Sequence, residues 1–145
     1  AGLVVVVAAG NNGPRTMSIT TPGISRKVIT VGCSDDDREV LVGGNRMVDY
    51  SGRGPTAACI CKPDLVAPGC SVVSCSSRAD KYTIKSGTSM STPIVSGAVA
   101  LLLERFPDMS NKDVKLRLRE SSVDIGLPRN QQGWGLLDVG KMLER

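Results

Sequence analysis

The 145-residue chain contains no histidine, so chemistry that depends on an imidazole base cannot be complete within it. Aromatic residues make up only 3%. A core must therefore be built from Val, Ile, Leu and Ala, and the aromatics that interleave with cations on nucleic-acid-binding surfaces are missing. No apolar run reaches the roughly 18 residues of a membrane span. The opening stretch, Ala1 to Ala9, has no basic segment and shows no signal-peptide pattern. Cysteine is odd in number, at Cys33, Cys59, Cys61, Cys70 and Cys75. An odd count argues against a complete disulfide framework and favours a reducing, cytoplasmic compartment, without excluding secretion. Cys59-Ile60-Cys61 leaves one residue between the thiols where structural zinc pairs leave two or more, so small buried thiols are expected rather than a metal site.

What is present suits a soluble piece. Apolar residues reach 41% and charged ones 22%, and 16 glycines with 8 prolines imply many tight turns. The net charge of +4 is densest at Lys112, Lys115, Arg117 and Arg119, mixed with Asp113 and Glu120 around one helix. A solvated helical face is expected there, with no nucleic acid bound.

Leu3 to Ala9 is a β-branched run between glycines and reads as a buried strand; Lys27 to Gly32 reads as a second. Residues 34 to 49, with Asp35, Asp36 and Asp37 and then Gly43-Gly44-Asn45, read as a strand pair with a glycine turn. Short strands follow at Leu65–Ala67, Val72–Cys75 and Lys81–Ile84. Pro93 to Phe106 reads as a helix buried over most of its circumference, with Gly97 and Ala98 allowing close approach to a sheet, and Pro107 ends it. Ser110 caps a second helix, paired with Asp113 in a capping box and with Met109 and Val114 as a staple. Asp138 caps a last one through Leu143. Strands followed by helices around a parallel sheet place the chain in the α/β class.

The octet Ser86-Gly87-Thr88-Ser89-Met90-Ser91-Thr92-Pro93 runs into the small-residue segment Ile94 to Leu103, placing Ser89 at the mouth of a helix. Oriented N–H groups at such an end stabilise an oxyanion, and a serine there becomes a nucleophile once a base takes its proton. Capping without chemistry is the other use of a serine at a helix start. Lys85, four residues earlier, would serve as that base only if burial removed its proton near neutral pH.

The octet resembles the nucleophile motif of the subtilisin-like serine proteases (peptidase S8). The resemblance extends to Val4-Val5-Val6-Val7-Ala8-Ala9-Gly10-Asn11-Asn12-Gly13, Thr21-Pro22-Gly23, Val28-Ile29-Thr30-Val31-Gly32, Tyr50-Ser51-Gly52-Arg53-Gly54-Pro55, Pro63-Asp64-Leu65-Val66-Ala67-Pro68-Gly69 and Gly133-Trp134-Gly135-Leu136-Leu137-Asp138-Val139, all in the family's order. It implies a three-layer α/β fold with a mostly parallel sheet. In that family Asp and His precede Ser along the chain and lie upstream of the A-A-G-N strand. Residues 1–145 are accordingly expected to be the C-terminal half of the catalytic domain, inactive alone, with the N-terminal half as partner. Ile94 stands where a structural histidine is common.

By the same resemblance, Ser89 would be the nucleophile and Asn11 the oxyanion-hole side chain. Ala8, Ala9 and Gly10 would form one wall of the pocket for the substrate side chain before the scissile bond, with Thr20 near its base. The implied activity of the full-length protein is serine endopeptidase action on polypeptides through an acyl-enzyme. A non-catalytic, pseudoenzyme binding module is the alternative, which an upstream D-T/S-G and H-G-T would exclude. No cofactor is expected. Asp64 matches a carboxylate near a cation site in some relatives, but Lys62 stands where a second acid is wanted, so calcium is unsupported and Asp64 is expected to hold a loop. A parallel sheet cut in two would expose an edge, so self-association of the fragment is expected.

Overall fold

The computed structural model describes residues 2–34, 40–42, 45–47, 50–77 and 81–144. Among them the elements run β1 (Val6–Ala8), β2 (Ile29–Cys33), β3 (Val40–Val42), β4 (Asn45–Met47), β5 (Leu65–Ala67), β6 (Val72–Cys75), β7 (Tyr82–Lys85), α1 (Thr88–Arg105), α2 (Asn111–Ser121), α3 (Arg129–Gln132) and α4 (Val139–Leu143). The aliphatic strands β1, β2 and β5 form one parallel sheet in that order, with Val7 opposite Thr30 and Gly32 opposite Val66. β2 and β5 are buried throughout, whereas β1, at an edge, is half-buried. On the far side Val66 exchanges 2.9 Å bonds with Gly135 and Leu137, adding a bridge to β5.

Strand alternation puts Ile29, Val31, Leu65 and Ala67 on one face, where Val95, Ala98, Val99 and Leu102 of α1 pack. Val114 and Leu118 of α2 and Met142 of α4 complete this core. Loops close the other face among the described residues: a Cβ on Gly32 would sit 3.1 Å from both Pro63 and Ser51, and the Thr30 hydroxyl donates to the Gly23 carbonyl at 2.7 Å. The expected α/β arrangement with a mostly parallel sheet is the one observed. β3 and β4 pair antiparallel as the glycine turn suggests, although Gly43, Gly44 and Asp35 to Asp37 lie outside the described residues. β6 and β7 form a second antiparallel hairpin.

The helices differ from expectation in two respects. α1 begins at Thr88, five residues before Pro93, so Ser89 lies inside its first turn. Pro93 falls in the second turn, where it has no N–H to give the Ser89 carbonyl and its ring crowds that same carbonyl. And α1 is not buried around most of its circumference: Thr88, Ser91, Val95, Ala98, Val99 and Leu102 make one buried stripe, while Ile94 and Leu101 are 36% and 48% exposed. The sheet underlies only that stripe. Gly97 faces open space, so Ala98 alone makes the close approach.

The capping box of α2 forms as read. Ser110 Oγ accepts from the Asp113 N–H, and Asp113 Oδ2 accepts from the Ser110 N–H at 2.9 Å. Met109 packs on the core that contains Val114. Asp138 caps α4 by accepting from the Lys141 N–H at 2.9 Å. The single turn of α3 has no counterpart in the sequence reading.

Candidate functional site

Two turns converge at the start of α1, one leaving β1 and one leaving β7. The first is fixed by the Ala9 N–H, which donates to the Val31 carbonyl at 2.8 Å. It then passes through Gly10 at φ 92°, where a Cβ would lie 2.5 Å from Thr20 Oγ1, so glycine is required both by backbone and by space. Asn11 follows and reaches across to the second turn. Its Oδ1 accepts from the Thr88 N–H and from the Thr88 hydroxyl, each at 3.0 Å. Thr88 Oγ1 in turn accepts from the Gly10 N–H at 3.2 Å. Thr88 is fully buried, and a Cβ on Gly87 would lie 3.1 Å from Asn11 Nδ2. The opposite flank is anchored by the Gly87 N–H donating to the Gly69 carbonyl at 2.9 Å.

Ser89 is therefore the second residue of a helix whose start is tied on both sides. The N-cap is Gly87, with no side-chain cap, so Ser89 does not cap the helix. Its side chain is exposed. With the Thr88 N–H given to Asn11 and the Met90 N–H to the Gly87 carbonyl, the N–H of Ser89, in the same first turn beside the Asn11 amide, makes a favourable place for negative charge. Lys85 is exposed at the end of β7, so the burial its use as a base would require is absent.

Thr20 packs against the same β1 turn, donating from its N–H and hydroxyl to the Ala9 carbonyl at 3.0 and 3.4 Å. The structure thus brings Ala9, Gly10 and Thr20 together, and Asn11 to the turn that opens α1. Thr88 is the member of this group to which the sequence reading gave no role. Its role rests on burial and on a contact with Asn11 77 residues away, neither of which the local sequence displays.

A second polar cluster lies beneath β2. Asp64 Oδ2 accepts from the Thr30 N–H at 2.8 Å and from Lys62 Nζ at 2.5 Å, while Oδ1 faces Lys115 Nζ at 3.2 Å. The two ammonium groups also donate to the Val28 carbonyl, and Lys115 to that of Arg26. Burial pushes the Lys62 ammonium below the ordinary lysine value of 10.5, with Asp64 opposing the shift. Rather than a loop, Asp64 ties strand β2, through Thr30, to helix α2, through Lys115, and with both oxygens facing ammonium groups the donor set does not fit a calcium ion.

Two further expectations need correction. The basic face of α2 is not simply solvated: Lys115 pairs with Asp64, and Arg117 Nε donates to the Met142 carbonyl at 2.7 Å, bracing the end of α4. Nor are the cysteines generally buried. Cys33 is, whereas Cys59, Cys61 and Cys75 are exposed, because only Cys33 lies in a central strand. Among the described residues no group of three His, Cys, Asp or Glu is placed to hold a metal, and no helix is long and apolar enough to cross a membrane.

Comparison with known proteins gives the geometry a family context. A family model described as the Subtilase family (Peptidase_S8) matches residues 1–135. The chain is 42% identical to the Serine protease AprX of Bacillus subtilis over 135 residues, covering 84% of this chain and 30% of that protein. It is 35% identical to Subtilisin DY of Bacillus licheniformis over 140 residues, covering 95% and 46%. Among solved structures, fervidolysin from Fervidobacterium pennivorans, a keratinolytic enzyme related to subtilisin, superimposes with a TM-score of 0.75 at 26% identity, covering 98% of this chain and 22% of its own. The Clostridium perfringens CspB protease gives 0.71 at 29% identity, covering 88% and 28%. The chain spans less than half the length of each of these relatives.

Proposed function

The chain belongs to the subtilase family, and we propose that it is the nucleophile-bearing part of a serine endopeptidase whose base and orienting carboxylate lie outside residues 1–145. The observation that carries this reading is the pair of hydrogen bonds that Asn11 Oδ1 accepts from Thr88, which turns the amide nitrogen toward the first turn of α1 where Ser89 stands. In the reading, Ser89 Oγ attacks the peptide carbonyl as its proton passes to a histidine supplied from elsewhere in the protein. The oxyanion lies between the Ser89 N–H and Asn11 Nδ2. The imidazolium then protonates the departing amine, and water releases the acyl group from Ser89.

A polypeptide is the substrate, with Ala8, Ala9, Gly10 and Thr20 receiving the side chain before the scissile bond. The partner is the remainder of the same domain, seated on the half-buried edge of β1 and on the exposed Leu3 and Val5 beside it. Without histidine the isolated chain is inert, since loss of the base alone costs about 10⁶-fold in subtilisin, a magnitude carried over from that enzyme. Intact-mass spectrometry after fluorophosphonate treatment tests the reading. Labelling of the full-length protein at Ser89, absent in Ser89→Ala and absent from the isolated chain, is the expected result. No labelling of the full-length protein would favour a non-catalytic binding module, and labelling of the isolated chain would mean a base other than histidine.

A further inference from the structure

A cleft of about 150 Å³ adjoins the nucleophile turn, lined by Val72, Ser74, Cys75, Thr83, Lys85 and Met90. Met90 directly follows Ser89, and the other five residues belong to the β6–β7 hairpin. The turn itself is held from two directions. Thr88 is bonded to Asn11, which follows β1; Gly87 is bonded to Gly69, which follows β5 and leads into the hairpin. Because β1 and β5 are the opposite edges of the three-stranded sheet, these two anchors flank Ser89 on opposite sides. A peptide lying across Ser89 with its acyl portion on Ala8 to Gly10 must send its leaving portion toward the hairpin cleft.

The chemistry of that cleft is specific. Val72 and Met90 offer apolar contact for methylene groups, Ser74 and Thr83 offer hydroxyls, and Lys85 brings a cation that has no carboxylate within salt-bridge distance among the described residues. A lysine head group is a mobile point charge that neither a neutral nor a basic side chain would satisfy. We infer that Lys85 makes this cleft a subsite for an acidic side chain on the residue immediately after the scissile bond. The inference rests on the reading of Ser89 as nucleophile, and it adds a specificity that reading does not contain. Lys85 is exposed, so its effect is that of a screened surface pair, about two- to fivefold per charge rather than orders of magnitude.

The test uses the full-length protein and peptides identical except for Glu, Gln or Lys directly after the scissile bond. The expected order of kcat/KM is Glu above Gln above Lys, each step about two- to fivefold, flattening as salt is raised. In Lys85→Met the Glu to Gln ratio falls to about one, and in Lys85→Glu the order reverses. Equal kcat/KM for Glu and Gln, or a ratio unaltered in Lys85→Met, overturns the inference while leaving the role of Ser89 intact. If the full-length protein cleaves none of the peptides, the nucleophile reading falls, and the cleft is judged by titrating the same peptides for binding. Tighter binding of the Glu peptide that Lys85→Met abolishes keeps acid recognition; equal binding of Glu and Gln peptides ends it.

Discussion

Asn11 Oδ1 accepts two hydrogen bonds from Thr88, one from its N–H and one from its hydroxyl, both 3.0 Å long, across 77 residues of sequence. An amide offers one acceptor oxygen and one donor nitrogen. With the oxygen committed to Thr88, the nitrogen is left facing Gly87 and the first turn of α1. Thr88 therefore orients Asn11, and the Gly10 N–H on Thr88 Oγ1 closes the arrangement by fixing the threonine rotamer.

Thr88→Val keeps the volume and the backbone donor but removes the hydroxyl, freeing one side of Asn11 and leaving the Gly10 N–H unpaired. On the proposed reading, turnover of the full-length protein should fall on the order of tenfold, the worth of about one hydrogen bond, with KM nearly unchanged. Asn11→Ala should cost more, about 10²- to 10³-fold, a size carried over from the corresponding donor in subtilisin. Steady-state kinetics on the two variants decides the matter: a Thr88→Val enzyme with unchanged turnover would show that the backbone N–H alone positions the amide.

Ser91→Ala should stabilise. Among the described residues Ser91 Oγ is buried without a hydrogen-bond partner, packed so close to Gly69 that a Cβ there would collide with it. An unsatisfied buried hydroxyl costs about 1–3 kcal/mol, and alanine removes it while leaving only a small void. Denaturant unfolding of the full-length protein should give a gain of about 1 kcal/mol; a loss would mean that the hydroxyl has a partner in solution.

Most of this was legible in the residues themselves. The Lys27 to Gly32 stretch and Leu65–Ala67 became buried parallel strands because continuous aliphatic strands bounded by glycine and proline have few other ways to be buried. The valine run, expected buried from Leu3 to Ala9, forms a strand only over Val6–Ala8 and is half-buried at the sheet edge, with Leu3 and Val5 exposed. Ser110 and Asp138 acted as caps because capping is a local property of three or four residues. The misses depend on distance. No local pattern tells that α1 lies on the sheet along one stripe only, that Lys115 on α2 would meet Asp64, or that Thr88 would bond to Asn11. Each is a contact between segments brought together by the whole fold. The single turn of α3 was missed because four residues after Pro128 carry no periodicity to read.

Lys62 gives a dependence of stability on pH. Its buried ammonium titrates below 10.5 in the folded protein. Between that lowered value and 10.5 the unfolded chain holds more protons than the folded one, so this group makes stability rise with pH through the window. Below the folded value both states are protonated and it contributes no slope. Lys62→Met should remove the rise, with Lys115 still facing Asp64. Unfolding measured for both proteins at several alkaline pH values should show the native protein gaining on the variant; a constant difference would mean that Lys62 stays charged throughout.

The free edge of β1 carries the last prediction. β1 pairs only with β2 among the described residues, Leu3 and Val5 beside it are 73% and 46% exposed, and α1 presents Ser96 and Val99 to it. A cleft of about 380 Å³ runs between them, lined by Leu3 to Val6, Ser96 and Val99. An unpaired strand edge next to an apolar face is a template for another strand. The isolated chain should therefore sediment as a dimer or larger species, and Val5→Lys, which puts a charge at that edge, should shift it toward monomer. Adding the rest of the domain as a separate polypeptide should have the same effect by occupying the edge itself, giving a one-to-one complex. A monomer at high concentration, with no response to either change, would mean that the edge is closed within the chain.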